Sequence, residues 1–157
     1  MTEQNIYGRG ILDLAANIPR IGRLDEPDAT ATMQSKLCGS VVTVDLRVRR
    51  GTIVDYAQEV KACALGQAAA SIVAQNIVGT KGEEFRQLRS AMHTMLRDDG
   101  PPPAGRFAGL AALEPAKAYK ARHPAIMLVF DAIVAALDQI AGNVEGAGMA
   151  RAAIAKS

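Results

Sequence analysis

The sequence contains no tryptophan, and aromatic residues make up only 4% of its 157 positions. Surfaces that bind single-stranded nucleic acid combine aromatic stacking platforms with a basic stripe along the phosphates. The formal net charge is only +2, and Lys and Arg form no long run that would make such a stripe. We therefore expect no nucleic-acid partner.

The sequence also lacks a long apolar run and an export signal. No stretch approaches the roughly 18 consecutive apolar residues that a membrane span needs. The segment from Met1 to Asn5 shows no basic region followed by an apolar one. We therefore expect a cytoplasmic protein without a membrane partner, in which the two cysteines are reduced thiols rather than a disulfide framework.

The two cysteines and two histidines are the residues most able to bind a metal or react with sulfur. Cys38 precedes an alternating apolar segment, and Cys63 lies where a helix begins, a position that favours the thiolate form. His123, at the start of the last helix, is a candidate third ligand, and two thiolates with an imidazole suit zinc or an iron–sulfur cluster. Alternatively, the cysteines are small buried hydrophobes and His123 caps a helix. We interpret His93 as structural.

Alternation of apolar and polar residues predicts a small antiparallel sheet. Apolar residues alternate with polar ones from Val42 to Arg49, which is typical of a half-buried strand. Gly51-Thr52 predicts a hairpin turn into a return strand from Thr52 to Lys61, and Met33 to Leu37 is a candidate first strand. A sheet with one polar face needs helices on the other. The predicted class is therefore α+β, with about three strands packed against helices.

Helical spacing accounts for most of the remaining chain. The predicted helices are residues 6–16, residues 65–78, a helix opened by Thr80 and Glu83 as a capping box, a short helix over 107–113 ended near Pro115, and a last helix from Pro124 to Ile140. Residues 17–30 are a predicted loop. We assign residues 1–141 to one domain and residues 142–157 to a flexible or weakly helical tail.

Five short motifs follow one another in an order that indicates a family. They are Ile11-Leu12-Asp13-Leu14 leading to Asn17-Ile18-Pro19-Arg20-Ile21-Gly22, then Cys38-Gly39, Gly51-Thr52-Ile53-Val54-Asp55, Lys61-Ala62-Cys63-Ala64, and Met127-Leu128 with Asp131-Ala132-Ile133. Over roughly residues 5 to 141 the chain resembles the iron–sulfur cluster scaffold proteins of the IscU, SufU and NifU N-terminal type. The resemblance implies their α+β fold.

The resemblance also implies a ligand set of three cysteines and an aspartate, from which this sequence departs. Ser40 stands where the aspartate follows the first Cys-Gly, and Ala125 stands at the third cysteine. His123 is the candidate replacement, because histidine can take the place of cysteine on a cluster iron. The implied set is therefore Cys38 and Cys63 as cofactor-binding thiolates, with His123 as a third metal ligand.

The function implied by the resemblance is that of a non-enzymatic scaffold. Such a protein binds iron and a nascent cluster, of the 2Fe–2S type for example, and receives sulfur from a cysteine desulfurase. Its other implied partners are a chaperone and cluster-acceptor proteins, and a homodimer would supply missing ligands. The departures leave three alternatives: a degenerate homologue that only binds the desulfurase or chaperone, a zinc-binding protein, and a sulfur carrier that uses Cys63.

Overall fold

A three-stranded antiparallel sheet with helices packed against it forms the framework of the protein. In this computed structural model the described residues are 8–156, with side chains described for residue 8 and residues 10–142. The strands, in the order β1-β2-β3, are β1 (Ala29–Gln34), β2 (Val41–Arg49) and β3 (Thr52–Lys61). The helices are α1 (Arg9–Ala16), α2 (Ala64–Asn76), α3 (Gly82–Asp98) and α4 (His123–Lys156), with 3₁₀ segments at Gly105–Ala118 and Lys120–Arg122. The predicted α+β class is confirmed.

The alternation in β2 does place one row of side chains in the core. Val42, Val44 and Leu46 are at most 1% exposed, and α4 packs against both β1 and β2. The buried apolar side chains form one cluster that extends from Ile11 to Leu137. The prediction of a single domain over residues 1–141, followed by a flexible or weakly helical tail, stays a prediction.

The last helix is the most apolar element. Among the described residues, the stretch Lys120–Gly142 is long enough to cross a membrane and its most apolar 18-residue window has a mean hydropathy of 1.8, contrary to the expectation that no stretch approaches this length. More than half of its most apolar window is buried inside the protein. Its side chains pack against β1, β2, α2 and α3, so the apolar character is accounted for by the core.

Several predicted boundaries are wrong, each for a local reason. The first strand is Ala29–Gln34 rather than residues 33–37, so it begins inside the predicted loop of residues 17–30, and it ends at Gln34 because the chain then turns at residues 35–39. Thr80 does not cap α3; its hydroxyl donates to the Asn76 carbonyl oxygen at 3.2 Å instead. The helix near Pro115 continues as 3₁₀ structure to Ala118. The predicted helix start at Ile6 lies outside the described residues.

The loop between α1 and β1 lies along the outer edge of the sheet. Gly22 donates its N–H to the Gln58 carbonyl, and Gln58 donates its own N–H to the Arg20 carbonyl, so the loop pairs with β3. The same loop covers Asp45, whose side chain is fully buried and accepts hydrogen bonds from the Arg23 guanidinium, the Leu24 N–H and the Thr30 hydroxyl. The face that alternation marks as polar is therefore covered by this loop at Asp45, whereas Thr43 and Arg47 stay partly exposed.

Candidate functional site

Cys38 lies at the tip of a tight turn between β1 and β2. The turn is closed by two backbone hydrogen bonds of 2.9 Å, from the Ser35 N–H to the Ser40 carbonyl and from the Gly39 N–H to the Ser35 carbonyl. Gly39 has φ +74°, a left-handed conformation that glycine adopts without strain. The Cys38 side chain is exposed at this tip. The thiol is therefore presented to solvent by a turn that the backbone fixes.

Serine side chains around the turn favour the ionised form of Cys38. Hydrogen bonds from the Ser35 hydroxyl, and then from the Ser40 hydroxyl and backbone, hold the pKa of the Cys38 thiol below its ordinary value. The sulfur lies 3.1 Å from the Ser40 hydroxyl oxygen. Sequence reasoning treated Ser40 only as a lost ligand and did not single out Ser35. The two serines supply donors that stabilise a thiolate without adding a second negative charge.

Alkylation by iodoacetamide tests this environment. We expect Cys38 to react faster than half-buried Cys63, with a pH midpoint below that of an ordinary thiol, because only the thiolate is nucleophilic. Ser35→Ala and Ser40→Ala should each raise that midpoint, whereas Ser90→Ala, at an exposed position of α3, should leave it unchanged. Rates are read for each cysteine by peptide mass spectrometry over a pH series. An unchanged midpoint in both turn variants would remove the serines from this role.

Cys63 occupies a different setting, at the start of α2. It is the N-cap residue, with extended backbone (φ −68°, ψ 170°), and its carbonyl accepts the first helical hydrogen bond, from the Gln67 N–H at 2.9 Å. The predicted position at a helix N-terminus is confirmed. The side chain is half-buried and packs against the apolar core. Cys63 is therefore less accessible to solvent than Cys38.

The strand register brings both cysteines to the same end of the sheet. Val41 pairs with Lys61 at the last rung between β2 and β3. Cys38 lies three residues before Val41, and Cys63 lies two residues after Lys61. The two thiols, 25 positions apart in the sequence, therefore flank one rung of the sheet.

The first turn of α4 reaches the same end through a close approach of two helices. A Cβ atom at Gly66 would lie 3.0 Å from the Ala125 carbonyl oxygen and 2.9 Å from the Ala62 Cβ atom. Only glycine fits this contact without displacement, so α4 packs directly on the first turn of α2. Ala125, which stands where the resembling family has its third cysteine, is 3% exposed and lies beside the residues that flank Cys63.

His123 is engaged elsewhere. Its Nε2 atom lies 3.0 Å from the Ala116 carbonyl oxygen. Because a carbonyl only accepts, this nitrogen carries the proton and donates it. His123 is half-buried at the start of α4, and this hydrogen bond joins it to the end of the first 3₁₀ segment. Ligation by Nε2 would require this hydrogen bond to break.

The described residues do not assemble a complete metal site within one chain. Over residues 8 and 10–142, no three His, Cys, Asp or Glu side chains form a group able to hold a metal ion. Structural zinc needs four ligands, and so does a 2Fe–2S cluster. One chain brings two thiols to one end of the sheet, and the set of Cys38, Cys63 and His123 stays a prediction.

Comparison with known proteins gives consistent matches over most of the chain. The family described as "NifU-like N terminal domain" matches residues 6–136. The iron-sulfur cluster assembly scaffold protein IscU of Thermotoga maritima is 30% identical over 142 residues, which are 89% of this chain and 98% of the relative. The N-terminal NifU-like protein of Brucella abortus, described as nitrogen-fixing, superposes with a TM-score of 0.87 at 51% identity, covering 88% of this chain and 96% of that one.

A more distant solved structure has the same fold. The SUF-system scaffold protein SufU of Fervidobacterium islandicum, whose scaffold role is marked as putative in its description, superposes with a TM-score of 0.79 at 20% identity. The match covers 87% of this chain and 99% of that one. At this identity the likeness concerns the fold alone.

Proposed function

Because the chain belongs to the family of NifU-like N-terminal domains, we propose that it acts in iron–sulfur cluster assembly as a scaffold-like protein. In this proposal Cys38 and Cys63 bind iron and the nascent cluster, and sulfur arrives from a cysteine desulfurase. The cluster is cargo that passes to an acceptor protein, so the chain itself is not an enzyme. A cytoplasmic location and contact with a chaperone belong to the same proposal.

One observation supports this function best: both thiols of the chain flank a single rung at one end of the sheet. The surroundings of the two cysteines suit different steps of cluster assembly. Cys38 is exposed and its thiolate is stabilised, so it is placed to accept sulfur or iron from outside. Cys63 is half-buried at the start of α2, so it offers a fixed second ligand.

The missing ligands are best supplied by a second copy of the chain. Two chains would contribute four thiolates, which is the number that a 2Fe–2S cluster requires. Alternatively, His123 completes a three-residue set within one chain after releasing the Ala116 carbonyl. The two versions differ in stoichiometry, since the first predicts one cluster for two chains and the second predicts one for each chain.

Anaerobic reconstitution with ferrous iron and sulfide tests the proposal. Cys38→Ser and Cys63→Ser should each lower metal affinity by ten- to a hundredfold or more, the range seen even for residues that only support a ligand. Ser90→Ala, an equally small change at an exposed position, is the matched control. The readouts are visible absorption, the iron and sulfide content for each chain, and the mass of the eluted species.

The variant His123→Ala distinguishes a cluster held by four thiolates of two chains from one held within a single chain. If His123→Ala holds iron as well as wild type and the cluster elutes with two chains, four thiolates hold it. If His123→Ala loses iron, the ligand set within one chain is supported. A wild-type chain that binds neither iron nor sulfide would contradict the scaffold function altogether.

A second function is favoured by the incomplete ligand set. Ser40 has no carboxylate, Ala125 has no ligand atom, and the described part of the chain contains no group of three metal ligands. A homologue that binds the desulfurase or chaperone without building clusters would need none of them. A Cys38→Ser/Cys63→Ser double variant that still retains a desulfurase in a pull-down, together with wild type that holds no iron, would support this function. Zinc in protein purified without added iron would support the zinc-binding alternative.

A further inference from the structure

A cavity of about 580 Å³ lies between the second half of α3 and the first turns of α4. This volume falls within the range of small-molecule sites. Both histidines of the chain, His93 and His123, line it, although they are 30 positions apart in the sequence. His93, which the sequence analysis interprets as structural, therefore faces the same space as His123.

The cavity has an apolar floor and a basic rim. Leu96 and Met127 are at most 4% exposed and form part of the floor with Pro124. Arg97 and Lys120 stand on the rim. Binding sites for small molecules typically combine an apolar lining with a few convergent polar groups, and this cavity has both.

Within the part of the chain that the structure describes, the two rim cations form no salt bridge, unlike several other cations of α3 and the 3₁₀ segments. Among the described residues, the salt bridges nearby are Arg86 with Asp138, Arg89 with Asp131 and Lys117 with Asp99. No salt bridge of the described residues includes Arg97 or Lys120.

The side chains around the cavity carry a net positive charge. Asp131 lines the wall, but Arg89 donates to it at 2.7 Å and neutralises it. Asp98 offsets one of the two rim cations, so one positive charge remains while both histidines are neutral. Burial, and then the charges of Arg89 and Arg97, hold the pKa of His93 below its ordinary value.

We propose that this cavity binds a small organic oxyanion. Arg97 and Lys120 hold its phosphate or carboxylate group, because paired donors of positive charge form the strongest hydrogen bonds to such oxygens. Its apolar part lies against Leu96 and Met127. This site uses neither cysteine, and it shares only His123 with the version of the cluster proposal that completes the ligand set within one chain.

Histidine NMR tests the proposal directly, since the chain has only two histidines and both line the cavity. The protein is used without a histidine tag, at fixed pH and ionic strength. Phenyl phosphate and benzoate are titrated to millimolar concentration, with phenol as the uncharged control. We expect both histidine ring signals to shift with saturation for at least one anion, and not for phenol. The stronger of the two anions identifies the preferred oxyanion.

Charge-removing variants locate the binding. Arg97→Gln/Lys120→Gln should weaken binding of the preferred anion by about tenfold or more, because it removes both charged donors. Lys61→Gln/Lys81→Gln removes the same charge from two exposed positions elsewhere and should bind as wild type does. Equal affinity in the two double variants would overturn the proposal, and so would equal shifts with phenol or no shift with either anion. None of these results would decide the scaffold proposal, which the reconstitution experiment tests separately.

Discussion

Asp45→Ala is expected to lower the free energy of unfolding by about 2–3 kcal/mol. The Asp45 side chain is fully buried and accepts hydrogen bonds from Arg23, Leu24 and Thr30. Removing one member of a fully buried ion pair typically costs about 3–5 kcal/mol. We expect less here because half of the Arg23 side chain is exposed and can regain water. Urea denaturation of both proteins measures the difference.

A surface ion pair of the same loop provides the control. Arg20 and Asp55 lie 3.6 Å apart and both are about 40% exposed, so Asp55→Ala should cost at most about 1 kcal/mol. Equal losses for Asp45→Ala and Asp55→Ala would show that burial of Asp45 adds nothing to stability.

The stabilisation by Asp45 should also depend on pH with a definite sign. Burial raises the pKa of Asp45, but hydrogen bonds from Arg23, Thr30 and Leu24 outweigh it and hold the pKa below its ordinary value. A carboxyl group with a lowered pKa stabilises the fold above its ordinary pKa of about 4, and this contribution is lost as the pH falls through the lower, folded-state pKa. Wild type and Asp45→Asn should therefore converge in stability in acid.

Asp45 also shows where prediction from the sequence ends. Alternation in β2 assigns Val42, Val44 and Leu46 to the core, and the structure confirms this because their spacing alone determines the face. The same rule places Asp45 on the polar face. At Asp45 that face is covered by a loop without periodicity, and the course of the loop depends on pairing with Gln58 of β3. The sequence contains no local signal for that pairing.

In the candidate site, too, some features could be predicted from the sequence and others could not. Cys38 and Cys63 could be found because strand and helix patterns place each at the end of an element, and the hairpin then brings those ends together. The contact of His123 with Ala116 could not be found, because it depends on how a 3₁₀ segment packs beside α4. The meeting of His93 with His123 likewise depends on the packing of α3 against α4.

Ala125→Cys is expected to make the cluster at least about tenfold more resistant to removal by a chelator, since a further thiolate bound directly to iron should add no less than the ten- to hundredfold effect of a supporting residue. Position 125 is suited to this change because its backbone contacts Gly66 and so lies on the first turn of α2, which Cys63 begins. Cysteine is one heavy atom larger than alanine, and placing it at a position only 3% exposed should cost about 1 kcal/mol of stability.

The control for this prediction is a variant with the same number of added thiols at a different position. Ala111→Cys adds a thiol at an exposed position of the first 3₁₀ segment and should leave chelator resistance as in wild type. Both variants are reconstituted anaerobically, and the loss of visible absorption is followed after addition of a chelator. If Ala125→Cys holds the cluster for longer and Ala111→Cys does not, the end of the sheet at Cys63 is where the cluster binds. If the two variants lose it equally fast, a thiol at position 125 does not reach the cluster and the prediction is wrong.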